Sequence, residues 1–203
     1  MPRISGQIDA AKTEAILDAA AEVLAERGLA APIEEIARRA GVSKQTIYNR
    51  YGAKTELVRA LVERRVDNIT APLRMPGAEE HPEETLAAYA LSLLRVVYDS
   101  GYAVMRLSIQ SAAELPDLAR EVFETGPLRS RAQLAAFLEM ESRAGRMTVD
   151  DPMQAAEFYG GMVLGHRQTQ VLLRLTTDLT EEGMVRLARD AARVFMRAYG
   201  PSA

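Results

Sequence analysis

The chain holds 203 residues, 48% of them apolar and 26% charged, with a formal charge of −3 and no cysteine. That balance suits a soluble globular protein and excludes wholesale disorder, disulfides and thiolate metal sites. No run approaches the ~20 apolar residues of a membrane span, the start MPRISGQIDAAK lacks an apolar signal core, and the missing cysteine fits a reducing compartment, so the expected location is the cytoplasm.

Alanine, leucine, arginine and glutamate dominate and no strand pattern competes, so the expected fold is all-α, with about nine helices. Residues 1–9 read as a loose arm carrying Arg3. A first helix is expected from about Ala10 to Arg27, with Ile16, Ala20, Val23 and Leu24 as its buried stripe and Gly28 closing it. Ile33, Ile36, Ala37 and Ala40 recur at helical spacing and mark a short second helix, which Gly41 stops. Ser43 then caps a third helix, Lys44 to about Arg50, ending at Gly52. A fourth runs from Lys54 to about Ile69 with Leu57, Leu61 and Val62 inward.

The segment Ala71–Pro82, with three prolines and a glycine, reads as a loop. Helices follow over Glu83–Tyr98 and Ala103–Ala113, then from Pro116 to Ala144 with an interruption or kink at Gly126–Pro127. Asp151 caps a helix that starts at Pro152 and is expected to reach Leu175. Thr180 opens the last helix, ending at Tyr199 before Gly200 and Pro201. Eleven basic and nine acidic residues through Val66 give +2, and the rest carries −5. The expected organisation is therefore an arm over 1–9, a head over 10–66 and a second domain over 67–203.

Two helices joined by a short turn containing glycine form the helix-turn-helix pattern, here over about 32–52, and its second helix is the one that enters a DNA major groove. From Arg38 to Arg65 eight basic residues face two acidic ones, a local +6 in an acidic chain, the footprint of a phosphate-binding face. All three lysines, Lys12, Lys44 and Lys54, lie in the first 54 residues. Lys54 falls in the first turn of a helix, where the dipole disfavours a cation; a nearby phosphate would reverse that penalty. Thr46 also fits a plain surface role and Tyr48 a core one, whereas Tyr51 is assigned to the core beside the Gly52 turn.

The residues GVSKQTIYNRYGAKTEL resemble the DNA-binding signature of the TetR/AcrR family of bacterial transcriptional regulators, and TEAILDAAAEVLAERG is similar to the family's first helix. The resemblance implies an N-terminal three-helix helix-turn-helix domain followed by a helical ligand-binding and dimerisation domain. It places Ser43, Lys44, Gln45, Thr46, Tyr48 and Asn49 on or at the start of the recognition helix, and matches Tyr48 and Lys54 to positions that hold phosphates. Gln45 falls where the family varies most, and a glutamine can bind adenine bidentately. Ala31 and Pro32 stand where members often place Ser or Thr, and Ala53 replaces a frequent polar cap, so backbone N–H groups would have to supply those phosphate contacts.

The last two helices usually build a four-helix dimer interface in this family. Gly160, Gly161 and Gly165 on one of them permit close approach, and Met184, Leu187, Ala188, Ala191, Val194, Phe195 and Ala198 give the other a wide apolar face. Tyr89, Tyr98, Tyr102, Met105, Phe123, Phe158, Met162 and His166 are candidates for lining an effector cavity, although each also fits a core or interface role. The function implied is a repressor that binds a palindromic operator of double-stranded DNA as a homodimer and is released by a small, largely apolar effector. A helical adaptor using the same fold without ligand control is the alternative. His81 and His166 are far apart and no metal-ligand spacing, nucleophile elbow or phosphate loop occurs, so neither an enzyme nor a metal or cofactor site is expected.

Overall fold

The structure is a computed structural model that describes residues 3–29, 31–98, 105, 108–109, 112–173, 175 and 179–201. Among them every regular element is helical. The α-helices are α1 (Arg3–Arg27), α2 (Ile33–Arg39), α3 (Lys44–Tyr51), α4 (Lys54–Thr70), α5 (Pro82–Tyr98), α6 (Pro116–Phe123), α7 (Arg129–Arg143), α8 (Pro152–Leu164), α9 (Arg167–Leu172) and α10 (Glu181–Tyr199), with a 3-10 turn over Ala71–Arg74 in the segment expected as a loop. The chain divides into two compact units, one of Met1–Arg64 with Ser100–Thr125 and one of Arg65–Asp99 with Gly126–Ala203.

The first unit is a small core closed by four helices. Ile16, Ala20, Val23 and Leu24 of α1 are fully buried, as their spacing requires. They meet Ile33, Ile36 and Ala37 of α2, Ile47 of α3, and Leu57, Leu61 and Val62 of α4. Val122 of α6 joins the same cluster, and Met105 and Leu118 pack against it. Tyr51 packs against this core, in keeping with its position beside Gly52. Gly41 (φ +66°) and Gly52 (φ +73°) take the left-handed conformation on either side of α3, and a side chain at either position would be strained.

The second unit is built on α5, α7, α8 and α10. Leu86, Tyr89, Ala90 and Leu94 of α5 pack with Leu134 and Leu138 of α7, Tyr159 and Val163 of α8, and Ala188, Ala192 and Phe195 of α10. Three aromatic rings in sequence, Tyr159, Phe195 and Tyr199, lie 4.9 and 4.5 Å apart between centroids. The Tyr159 hydroxyl donates to the Leu86 carbonyl at 2.8 Å, so its polar end is satisfied inside the core. Glu141, fully buried on α7, is clamped by Arg146 through Nε and Nη2 at 2.7 and 3.0 Å, fastening the loop that follows the helix.

Several helix ends follow the sequence expectation. Asp151 accepts from the Gln154 N–H and Thr180 from the Gly183 N–H, each at the position assigned to it. Three features differ. α1 begins at Arg3 instead of about Ala10; only Gly6 opposes helix in that stretch, and one glycine costs roughly 1 kcal/mol against alanine. At Gly126–Pro127 the chain stays helical through a π-turn, Glu124–Leu128, which links α6 and α7 across a proline that lacks an N–H. The helix expected to reach Leu175 stops at Leu164, because Gly165 (φ +48°) reverses the backbone before the short α9. The helix expected over Ala103–Ala113 falls largely outside the described residues.

Candidate nucleic-acid interface

α3 is held at both ends by local geometry. Ser43, in an extended conformation, accepts from the Thr46 N–H at 3.1 Å, and its hydroxyl lies 2.9 Å from the Thr46 hydroxyl. These bonds satisfy part of the free N-terminal donors and fix the first turn. Ile47 is the one buried residue of α3, so a single apolar anchor sets the helix's rotation on the core. Gln45 and Asn49, four apart, are exposed and joined by a hydrogen bond of 2.6 Å from Nε2 to Oδ1. Tyr48 is 38% exposed and its ring lies 5.6 Å from the Lys44 ammonium.

The cations of the motif are more occupied than the sequence suggests. Arg39 forms a bidentate pair with Glu26 at 2.6 and 2.8 Å, and that bond holds the Glu26 carboxyl below its ordinary range. Arg64 donates to Glu14 and Asp18, both at 2.8 Å. Arg50, near the end of α3, is tied to Asp9 and Thr13 of α1. Lys44 pairs with Glu34 of α2, which lowers the Glu34 carboxyl and raises the lysine. The local +6 is thus largely answered by carboxylates of α1 and α2 lying outside the 38–65 window. Spacings of four along Glu14, Asp18, Glu22 and Glu26 are the sequence signal for an acidic stripe facing those cations.

Lys54 is the first residue of α4, where the sequence places it, and its ammonium turns to the fold of the head. Its ammonium donates to the carbonyl oxygens of Leu29 and Ala31, in the loop between α1 and α2, and burial pushes its ionisation down. Two of its three donors serve the fold of the head, leaving one for any other acceptor. Among the described residues Tyr51 Oη is buried without a hydrogen-bond partner, and burial raises its ionisation.

The candidate effector residues among the described ones are divided between the two units. Tyr89 is buried in the second unit's core with its hydroxyl 3.1 Å from Ser130 Oγ, and Tyr98 packs against the same core. Met105 packs on the first unit's core, while Phe123 is exposed at the end of α6. Phe158 and Met162 lie exposed on α8, and His166 is exposed between α8 and α9. Tyr102 lies outside the described residues. An open groove of about 650 Å³ runs between α5 and α10, lined by Ala87, Ala88, Leu91, Val185, Arg189 and Arg193 among others, and includes none of the eight.

A capped eight-residue helix, set by a glycine turn on a small core and exposing an amide pair, defines a helix-turn-helix DNA-binding protein, here with a second helical unit. Comparison with known proteins agrees and narrows the class. Residues 16–61 match the profile described as "Bacterial regulatory proteins, tetR family", and residues 84–201, over half the chain, match "AefR-like transcriptional repressor, C-terminal domain". The chain belongs to the TetR family of bacterial transcriptional regulators, which are DNA-binding proteins. It is 32% identical over 130 residues to the HTH-type transcriptional repressor Rv3405c of Mycobacterium tuberculosis (strain ATCC 25618 / H37Rv), covering 63% of this chain and 68% of that one. It is 47% identical over 60 residues to the HTH-type transcriptional activator FasR of Mycolicibacterium smegmatis, a match confined to 29% of this chain and 27% of the relative. The solved structure of the flavonoid-responsive regulator FrrA superposes with a TM-score of 0.68 at 30% identity, over 95% of this chain and 98% of that one.

Proposed function

We propose that the protein is a ligand-responsive repressor that binds a palindromic operator as a homodimer, in the cytoplasm, and releases it when a small, largely apolar effector occupies the second unit. The observation that carries the reading is the exposed Gln45–Asn49 pair on a capped, singly anchored α3. Two amides four residues apart present donors and acceptors suited to base edges, and glutamine or asparagine on adenine is worth about 1–3 kcal/mol of discrimination. Ser43, Thr46 and the α3 N-terminus supply phosphate donors, with Lys44 and Tyr48 on the same helix and the remaining Lys54 N–H at the start of α4.

Dimerisation through α8 and α10 has support in what those helices leave uncovered. Phe158 and Met162 on α8 and Val194 on α10 are exposed, on helices whose opposite faces form the core. A Cβ at Gly161 would meet nothing within 4 Å, so the space beside it is open to a close-packing partner helix. Two recognition helices one DNA turn apart, about 34 Å, bind a palindrome far more tightly than one short helix could. The resemblance to a flavonoid-responsive regulator supports an effector that is aromatic or otherwise largely apolar.

A gel shift with DNA from upstream of the protein's own gene tests the reading. Tyr48→Ala is expected to weaken binding to every sequence, whereas Gln45→Ala relaxes preference at one base step. Unchanged affinity and preference in both variants would overturn the site assignment.

A further inference from the structure

The Lys44–Glu34 pair joins the two helices of the motif at its exposed face. Lys44 is the first residue of α3, where the helix dipole opposes a cation, and Glu34 lies in the first turn of α2, where the dipole favours an anion. Both side chains stand well out in solvent, at 50% and 59% exposure, and an ion pair so exposed adds little to stability. Its effect is instead on charge. The lysine nearest the α3 N-terminus, where a phosphate would be received by free N–H groups, is already engaged by a carboxylate. Arg39, Arg50 and Arg64 of the head are instead held mainly by carboxylates of α1, with Glu35 of α2 also reaching Arg39. Lys44 is therefore a cation at the start of the recognition helix whose partner, on α2, can be exchanged for DNA.

We propose that Glu34 is an intramolecular competitor for DNA phosphate, holding Lys44 in the free protein and so restraining attachment to duplex of arbitrary sequence. The proposal rests on the DNA-binding reading of α3. Binding to sequence-independent duplex is carried by cation–phosphate contacts, and each phosphate neutralised steepens the salt dependence by about 0.9 in log K against log salt. With Glu34 present, Lys44 brings no net charge to the duplex. With Glu34 neutralised, it brings one. Glu34 then acts as a positioning residue that works through Lys44 and trades general affinity for selectivity, since off-operator binding has no base contacts to compensate.

The test uses the full chain and a labelled random-sequence duplex of about 30 base pairs, titrated from about 50 to about 200 mM NaCl. Glu34→Gln is expected to raise affinity severalfold at the low-salt end and to steepen the slope by about 0.9. In the Lys44→Met background the same Glu34→Gln change is expected to leave the slope as it was. The melting temperature of Glu34→Gln should match that of the parent, since the pair is exposed; a large fall would assign it a structural role and overturn the proposal. An equal gain in both backgrounds would also overturn it, because the carboxylate would then act on DNA directly and not through Lys44. Wild-type binding with no response to Glu34→Gln defeats the proposal alone. Failure of every form to bind duplex at low salt defeats the DNA-binding reading as well.

Discussion

Ser43 and Tyr51 show how far individual residues decide the head. Ser43 closes the α3 N-terminus with a bond that alanine cannot make, so Ser43→Ala should cost about 1 kcal/mol in urea unfolding. Tyr51 carries a buried hydroxyl with no partner among the described residues, and an unsatisfied buried donor costs roughly 1–3 kcal/mol. Tyr51→Phe should therefore leave the protein as stable or raise its stability by about 1 kcal/mol, read as a higher urea midpoint at unchanged slope. The cap at Ser43 is legible in the sequence because capping is local: a hydroxyl, a glycine two residues before it and helix formers after it suffice. The role of Lys54 is not. Its acceptors, the carbonyls of Leu29 and Ala31, lie more than twenty positions away and come beside it only when α1 and α4 pack. The pairing of Glu34 with Lys44 is hidden for the same reason, since the turn between α2 and α3 has to fold before the two meet.

At the level of helices, burial period and breakers are legible wherever one cause acts alone. The α1 stripe, the α5 span and the Thr180 start of α10 all follow from apolar spacing and capping side chains. Competing causes obscure the end of α8, where apolar residues resume at Val171 after a polar stretch but the backbone already turns at Gly165, at φ +48°. The loop after α7 depends on a clamp that no periodicity marks. Glu141 is fully buried against Arg146, and removing one partner of a buried pair typically costs about 3–5 kcal/mol. Arg146→Ala leaves the buried Glu141 carboxylate unpaired and should lower the midpoint of chemical denaturation, and Glu141→Gln should lower it less. Tyr159→Phe, which loses the bond to Leu86 but keeps its ring against Phe195, should cost only about 1 kcal/mol.

For the molecule as a whole, the sequence conveys an all-helical chain with a basic head, and the family follows from the α3 signature. It conveys much less about the effector site. Aromatic residues at helical spacing are core or surface depending on which face the neighbouring helices cover, and the structure divides Tyr89, Phe123 and Phe158 among those fates. Phe158 and Met162 are exposed on α8, where the proposed dimer would cover them. If α8 and α10 meet a second copy, Phe158→Glu should shift the protein to a monomer in sedimentation while leaving its helical content intact, and DNA affinity should fall with it. A dimer that survives this change would place the interface elsewhere.

The most direct measurement of the central claim, that α3 reads base sequence in two symmetric copies, is selection from a random duplex library by the 203-residue chain. The expected result is enrichment of an inverted repeat whose half-sites lie about 10 base pairs apart, or a multiple of that, with altered preference at one symmetric step for Gln45→Ala. Recovery of no common sequence, or of one that Gln45→Ala and Asn49→Ala select unchanged, would contradict it.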